Sequence, residues 1–303
     1  MADRIIDLSE EPARLSVRYT NLLIEREATE PVTVPLEELA VLVVSHPQVS
    51  LTHAVLSGLA VSGGVFVTCD DKHLPAGMLL PLTGHFIQAE RFEQQAVTPM
   101  PTRKRLWQQV IRAKLRAQSQ LLCELGGDDR GIASLASRVR SGDPDNVEAE
   151  ASRRYWPALF TSGYFRRDRF GLPPNPLLNY GYAILRAIVA RAICASGLHP
   201  SLGLHHHNRY DAFRLADDLM EPFRPLVDRA VVNLTHQRGM TIPLDKQAKA
   251  EILKALSGRL PLEGEWRTLF DVASRTTSSL VAVFAGERRD LLLPETTRVQ
   301  PEA

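Results

Sequence analysis

The segment VTPMPTRKRLWQQVIRAKLRAQSQLLCELGG, residues 97–127, decides the fold. Pro99 and Pro101 indicate a boundary between two structural units. Beyond them, apolar residues recur at spacings of three and four, which predicts an amphipathic helix that ends at Gly126-Gly127. The buried stripe of this helix is predicted to contain Trp107, Val110, Ile111, Lys114, Leu115, Gln118, Leu121 and Leu122.

Before this boundary, the pattern is typical of β-strands. The runs RIIDL (residues 4–8), RLSVRY (14–19) and NLLIERE (21–27) are short and rich in β-branched or alternating apolar residues. An apolar strand core follows at AVLVV (40–44), then a short helix within residues 49–63 and a strand, turn and strand over 64–82.

After the boundary, the sequence predicts further helices over residues 146–160, 175–196, 210–232, 245–257 and 264–280. The predicted fold is therefore α+β, with a small N-terminal β domain followed by a larger all-α catalytic domain. We place the β domain at residues 1–88, a linker at 89–101 and the helical domain at 102–303.

The composition is that of a globular protein, with 44% hydrophobic and 23% charged residues. A net charge of +1 does not favour a polyanionic partner, so any nucleic-acid surface must be a local patch. The three cysteines are scattered and lack CxxC spacing, which argues against a disulfide framework or a zinc knuckle. Because no signal peptide and no long apolar segment are evident, we expect a cytoplasmic protein without a membrane partner.

Three acidic residues stand together in the run ADDLMEP, at Asp217, Asp218 and Glu221. Asp218 and Glu221 are three positions apart, so on a helix they project from one face, whereas Asp217 points about 100° away. Such pairs are common on solvated helix faces, and this pair alone is a weak indication of a metal site.

Three consecutive histidines, His205, His206 and His207, precede these acids. In an extended segment the side chain of His206 would oppose those of its two neighbours, so all three cannot reach one ion. One imidazole with carboxylates suits a divalent cation, Mn²⁺ better than Mg²⁺. The pattern is equally typical of a loop with surface histidines, and the residues alone leave both interpretations open.

A further acid comes from the run DNVEAEASRRYWPALF, residues 145–160. Glu148 stands at the head of a helical stripe that continues with Ala151, Tyr155 and Leu159, with Asn146 as the predicted N-cap. A carboxylate on a buried stripe is costly unless it is paired or bound to a metal. This stripe is the most informative feature that the residues themselves supply.

Three segments carry a resemblance to a known family: NVEAEASRRYWPALF (146–160), NPLLNYGYAILRAIVARAICASGLHPSLGLHHHN (175–208) and LADDLMEPFRPLVD (215–228). They resemble, in the expected order, the signature segments of the CRISPR-associated integrases (CRISPR-associated protein one). The run CDDKHLPAGMLLPL (69–82) and the chain length are similar to the shorter forms of type II systems.

The resemblance implies a metal-dependent DNA endonuclease and integrase, which inserts captured foreign DNA into the CRISPR array through attack by a 3′-hydroxyl at the repeat boundary. Mg²⁺ or Mn²⁺ would be held by Glu148, His206 and Glu221, with Asp218 in support. The spacing from Gly203 in the family's motif selects His206, and His205 is the alternative.

The resemblance also implies the partners. The N-terminal domain would form a homodimer and dock a second, small dimeric adaptation protein, and the type II effector nuclease is a further candidate partner. A DNA-binding scaffold with an idle site, and a metal-dependent nuclease of DNA repair, are the alternative functions.

Basic residues in two runs are the candidate DNA contacts, although charged helix faces also serve solubility. The residues are Arg103, Lys104, Arg105, Arg112, Lys114 and Arg116 in the first run and Arg166, Arg167 and Arg169 in the second.

Overall fold

The computed structural model describes residues 3–27, 29–71, 74–161 and 165–294. The strands of these residues are β1 (Arg4–Leu8), β2 (Arg14–Arg18), β3 (Asn21–Glu25), β4 (Val32–Pro35), β5 (Leu39–Val44), β6 (Ser50–Leu51), β7 (Val65–Cys69), β8 (Pro75–Leu79), β9 (Arg259–Leu262) and β10 (Glu265–Thr268). The helices are α1 (His53–Val61), α2 (Gln88–Val97), α3 (Met100–Gly126), α4 (Ile132–Arg138), α5 (Val147–Leu159), α6 (Asn175–Ala195), α7 (Arg214–Met220), α8 (Arg224–Arg238), α9 (Lys246–Leu256) and α10 (Leu269–Phe284).

Two four-stranded sheets form the N-terminal part, in the orders β1-β5-β7-β8 and β4-β3-β2-β6. All six residues of β5 are buried, because this strand has a covered surface on both faces. Leu39, Leu42 and Val44 pack into the core beneath the second sheet. Val41 and Val43, on the other face, belong to the hydrophobic core of the helices. The continuous apolar run at residues 40–44 was thus correctly identified as a strand core.

The helices pack around α6, most of whose residues are buried. Among the described residues, α6 is the one helix long and apolar enough to cross a membrane by length and composition, and 78% of that window is buried inside the fold. Gly181 permits its close approach to α8, since a Cβ there would lie 2.4 Å from Cγ1 of Val227. Such extensive burial is typical of the central helix of a helical bundle.

The predicted fold class is confirmed, with β-sheets first and helices after them. The stripe predicted on α3 is buried as expected, including Lys114 and Gln118. The structure also forms helices at positions 132–138 and 88–97, so most of the predicted linker at residues 89–101 is helical.

Three details of the helical part differ from the prediction. The predicted helix over 210–232 is divided into α7, a 3₁₀ turn over Glu221–Phe223, and α8, with Pro222 and Pro225 at the junctions. The predicted helix over 264–280 begins only at Leu269, because β9 and β10 form a hairpin before it. The helical part is therefore not all-α. Its hairpin turns at Glu263-Gly264, both of which have positive φ (53° and 77°) as a tight two-residue turn requires.

Candidate active site

The ammonium of Lys114 joins two carboxylates from separate parts of the chain. Nζ lies 2.6 Å from Oε1 of Glu148 on α5 and 2.6 Å from Oε2 of Glu221 in the 3₁₀ turn. We call these three residues the carboxylate–lysine cluster. It brings together the two acids that the family resemblance implied as ligands, around a basic residue of α3.

Glu221 is almost fully buried, with 4% of its surface exposed. Its Oε1 accepts a hydrogen bond from Nε of Arg224 at 2.8 Å. Its Oε2 forms the ion pair with Lys114 but has no partner with hydrogen-bond geometry among the described residues. Burial alone would raise the pKa of Glu221, but Arg224 and Lys114 outweigh it and lower the pKa to about 2. The residue is therefore a carboxylate at physiological pH.

Lys114 is buried to a similar degree, with 7% exposed. Burial by itself would lower its pKa, but the charges of Glu221 and Glu148 raise it above the ordinary value. The lysine is therefore a cation, and the cluster contains opposite charges in a nearly dry environment.

Glu148 is held at the first turn of α5, where Ala151, Tyr155 and Leu159 are buried as predicted. The predicted cap, Asn146, makes no side-chain cap hydrogen bond. Instead, the carboxylate of Asp143 accepts the N–H groups of Val147 and Glu148, at 2.9 and 3.0 Å. Asp143 thus satisfies the free amides at the helix start and fixes the backbone of Glu148.

Asp218 is fully buried, and its carboxylate binds the backbone of the histidine loop, residues 203–207. Its Oδ2 accepts the N–H groups of Leu204 and His205 at 2.6 and 3.0 Å, and its Oδ1 accepts that of His206 at 3.3 Å. A Cβ at Gly203 would come within 2.9 Å of the same Oδ2. Glycine is therefore required there for the loop to close on the carboxylate.

The same Oδ1 of Asp218 lies 2.5 Å from Nδ1 of His206. The hydrogen bond that His206 donates to Asp218 raises the pKa of His206 more than burial lowers it. Since Nδ1 is engaged, only Nε2 of this ring remains to bind a metal or another partner. Asp218 is therefore placed to orient the imidazole.

The acid set aside by the helix geometry, Asp217, forms a bidentate ion pair with Arg186 of α6, with distances of 2.6 and 2.9 Å. Burial raises the pKa of Asp217 against the opposing effect of Arg186. The three acids of the ADDLMEP run thus have three separate environments. The ion pair of Asp217 connects α7 to α6.

The donor types of the site fit a hard or borderline divalent cation, since two carboxylates and one imidazole are available. The buried Oε2 of Glu221, which accepts no hydrogen bond within the described part of the chain, is a suitable metal ligand. Within the described ranges, no group of three or more His, Cys, Asp and Glu side chains is already spaced to hold a metal ion. The ammonium of Lys114 lies between the two carboxylates that would have to converge.

Several of the candidate DNA contacts are engaged within the protein. Arg103 donates to the carbonyl oxygens of Gln95 and Ala96, and Arg112 to that of Val139. Arg105 lies 3.5 Å from the carbonyl oxygen of Arg289.

In the second basic run, the half-buried Arg167 donates to the side-chain oxygens of Asn175 and Asn179, at 3.0 and 2.7 Å. The exposed members of the two runs are Lys104, Arg116, Arg166 and Arg169. These four have the accessibility that contact with a phosphate backbone requires.

Three important residues were missed or misassigned by sequence reasoning. Lys114 was grouped with the DNA contacts, although it lies on the apolar stripe of α3 and is paired inside the protein. The position of Lys114 on a predicted buried stripe was a usable signal. A buried charge needs a partner, and this argument applies to Lys114 as it does to Glu148. Arg224 and Asp143 had no distinctive local pattern, because their roles arise from the turn of the chain after Met220 and before Val147.

Sequence comparison identifies the family that this chain resembles. The family model described as "CRISPR associated protein Cas1" matches residues 7–257. A relative from Neisseria meningitidis serogroup C, named "CRISPR-associated endonuclease Cas1", is 36% identical over 285 residues, which cover 93% of each chain.

Two solved structures are similar in fold. One, named "Casposase bound to integration product", has a TM-score of 0.74 at 19% identity and covers 95% of this chain and 92% of its own. The other, a "Cas6-RT-Cas1--Cas2 complex", has a TM-score of 0.75 at 16% identity and covers 99% of this chain and 36% of its own. At these identities the likeness concerns the fold.

Proposed function

Because the chain belongs to the CRISPR associated protein Cas1 family, we propose that it is a CRISPR spacer-acquisition integrase, a metal-dependent DNA endonuclease and transesterase. The observation that carries the proposal is the meeting of Glu148 and Glu221 at Lys114. Residues 34 and 107 positions away in the chain converge on one buried ammonium, and Asp218 orients an imidazole nearby.

The proposed reaction is the insertion of a captured DNA fragment at the repeat boundary of a CRISPR array. The 3′-hydroxyl of the fragment attacks a phosphodiester of the array, a new P–O bond forms, and the old one breaks to release a 3′-hydroxyl. Glu148, Glu221 and His206 would hold Mg²⁺ or Mn²⁺. When bound, such an ion polarises the phosphoryl oxygen and stabilises charge on the attacking and leaving oxygens.

The protein's own residues prepare this site in defined ways. Arg224 and Lys114 keep Glu221 ionised, and Asp218 holds the ring of His206 through Nδ1. Asp143 fixes the helix start that carries Glu148. No side chain of the site forms a covalent bond to DNA in this scheme.

We further propose that the protein acts with DNA and with a small dimeric partner of the Cas2 type. Two observations support this: a fold neighbour is a Cas1–Cas2 complex by name, and another is bound to an integration product. Formation of a homodimer through the N-terminal sheets, and contact with a type II effector nuclease, remain proposals that rest on the family resemblance.

The decisive experiment is a strand-transfer assay with a supercoiled plasmid that carries the array, a fragment with free 3′-hydroxyls, the small partner, and Mg²⁺ or Mn²⁺. Glu148→Gln should lower strand transfer by at least about 100-fold, because loss of a residue that only hydrogen-bonds a metal ligand already costs roughly 10–100-fold at metal sites. The matched control is Glu150→Gln on the same helix, whose carboxylate pairs with Arg154 at the exposed surface. It should keep wild-type activity.

Other results would favour other functions. Equal activity of the Glu148→Gln variant and the wild type would contradict the site assignment. No strand transfer by either protein, with metal and array present, would support a scaffold subunit with an idle site. Cleavage of branched DNA without any partner would support a repair nuclease.

A further inference from the structure

Lys114 occupies the space between the two carboxylates that are the proposed metal ligands. Its Nζ is 2.6 Å from an oxygen of each, and these oxygens are Oε1 of Glu148 and Oε2 of Glu221. A cation that is to bind both oxygens must share this space with the ammonium. The ammonium of Lys114 must therefore affect the affinity of the site for a metal ion.

The charges of the carboxylate–lysine cluster and of Arg224 balance one another before any metal enters. Glu148 and Glu221 carry two negative charges, and Lys114 and Arg224 supply two positive charges in direct contact with them. A divalent cation added to this set would leave two excess positive charges, in surroundings where repulsion is strong. Release of the ammonium from the carboxylates would reduce that excess.

An acceptor that a released ammonium could reach lies on the same helix face. Gln118 lies one turn further along α3, is 3% exposed, and has an Oε1 that accepts no hydrogen bond from any residue that the structure describes. A cavity of about 130 Å³ borders Lys114, Gln118, Trp156, Glu221 and Asp228. An amide oxygen accepts a hydrogen bond from an ammonium, and side chains four residues apart on a helix are neighbours.

We propose that Lys114 is an internal counter-ion that holds Glu148 and Glu221 together in the metal-free protein and leaves them, toward Gln118, when a divalent cation binds. This inference rests on the proposed metal site and adds a regulatory element to it. Lys114 is a positioning residue in this scheme. It holds the two carboxylates in position and lowers the affinity of the site for a metal ion.

The test is the affinity of the metal-free full-length protein for Mn²⁺ at pH 8, measured by the electron paramagnetic resonance signal of free Mn²⁺. Lys114→Met should bind Mn²⁺ at least about tenfold more tightly than the wild type, because a competing positive charge is removed. Its melting temperature without metal should fall, and the increase caused by Mn²⁺ should exceed that of the wild type. Gln118→Leu should bind more weakly, since the released ammonium loses its acceptor.

The matched control is Lys249→Met, which removes a lysine that is also buried but is paired with Glu10, outside the carboxylate–lysine cluster. Its Mn²⁺ affinity should equal that of the wild type. Glu148→Gln reports on the metal site itself and should abolish binding at this position.

These variants separate the two proposals. If Lys114→Met binds Mn²⁺ no more tightly than the wild type while Glu148→Gln loses binding, the metal site stands and the counter-ion role is wrong. If the wild type and Glu148→Gln bind Mn²⁺ equally, the proposed metal site is wrong and the inference is wrong with it.

A measurement on the wild type covers the case in which Lys114→Met fails to fold. In protein with ¹³C-labelled lysine, the Cε resonance of Lys114, assigned with Lys114→Gln or Lys114→Arg, should shift on titration with Mg²⁺ and saturate with the metal. A resonance that stays unchanged at saturating Mg²⁺ would contradict the displacement.

Discussion

The three consecutive histidines occupy three different environments. His205 stacks on Trp107, with ring centroids 4.3 Å apart and an interplanar angle of 3°, and burial lowers its pKa. His206 meets the same tryptophan edge-on and is bound through Nδ1 to Asp218. His207 is exposed. Neighbouring positions therefore give the three imidazoles different contacts. His205 stacks on Trp107, His206 is bonded to Asp218, and His207 faces solvent.

Replacement of single histidines should separate these roles. His206→Ala should reduce both Mn²⁺ affinity and strand transfer by at least about 100-fold, because it removes a ligand, and loss of a residue that only hydrogen-bonds a ligand already costs roughly 10–100-fold. His207→Ala should change either quantity by less than about twofold, as expected for an exposed residue. Titration of Mn²⁺ into each variant, together with the strand-transfer assay, measures both. Loss of binding in His205→Ala but not in His206→Ala would assign the ligand to His205 instead.

At the scale of elements, one carboxylate ties three helices together. Asp228 of α8 is fully buried and accepts hydrogen bonds from the hydroxyl groups of Tyr155 on α5, at 2.7 Å, and of Tyr182 on α6. Burial raises the pKa of Asp228 to about 6, against the lowering effect of the two tyrosines and of Arg224. The interior of the bundle therefore contains an acid that titrates near neutral pH.

This raised pKa predicts a pH-dependent stability. The folded state binds the proton of Asp228 more tightly than the unfolded state does, so the contribution to stability is present below about pH 4 and is lost as pH rises to about 6. In Asp228→Asn this loss is absent. The free energy of unfolding of the variant, relative to the wild type, should therefore rise over that interval by up to about 3 kcal/mol, for about two pKa units.

Urea unfolding of both proteins from pH 4 to 7.5 measures this difference, and other titrating groups cancel because they are common to both. The lost tyrosine contacts give an offset that does not vary with pH. A constant difference between the two proteins over the whole interval would contradict the raised pKa.

The divided helix at residues 214–238 shows where prediction of elements succeeded and where it did not. The 3₁₀ turn keeps helical dihedral angles at Glu221 (φ −52°, ψ −44°), so Asp218 and Glu221 retain the helical spacing on which the prediction of a shared face was based. The helix periodicity missed the division itself, although Pro222 and Pro225 lack the N–H groups that a continuous helix needs. The hairpin at 259–268 was missed for a similar reason, because its short turn signal was outweighed by the helical pattern after it.

At the scale of the whole molecule, the N-terminal sheet and the helices share one core. The hydrophobic cluster of the helices includes Val41, Val43, Val65 and Val67 from β5 and β7. A half-buried polar contact lies in the same interface, where the hydroxyl group of Tyr180 on α6 donates to Oδ2 of Asp7 on β1. The two parts of the chain are therefore joined by packing and by a hydrogen bond to a charged group.

Tyr180→Phe should weaken this junction selectively. It leaves the half-buried carboxylate of Asp7 without this partner, which costs at most about 1–3 kcal/mol, the penalty for a fully buried group. Hydrogen exchange of the amides of β1 should become faster, because this strand opens more readily when its contact with α6 is lost. Exchange measured by mass spectrometry on peptides covering residues 4–8 tests this.

The matched control is Tyr182→Phe, which also removes a buried hydroxyl group from α6, but one that binds Asp228 inside the bundle. It should lower the free energy of unfolding without selectively speeding exchange in β1. Equal exchange of β1 in Tyr180→Phe and the wild type would show that the interdomain hydrogen bond does not hold the sheet.

The amino-acid sequence by itself determined the change from strands to helices near Pro99, the buried stripe of α3 and the stripe headed by Glu148. These features depend on spacing along one element, and spacing alone defines which side chains share a face. The tertiary structure decided what each face meets: Lys114 meets Glu148 and Glu221, Asp218 meets the histidine loop, and Tyr180 meets Asp7. Such partners are distant in the chain, and only the packing of whole elements brings a buried charge to the opposite charge that stabilises it.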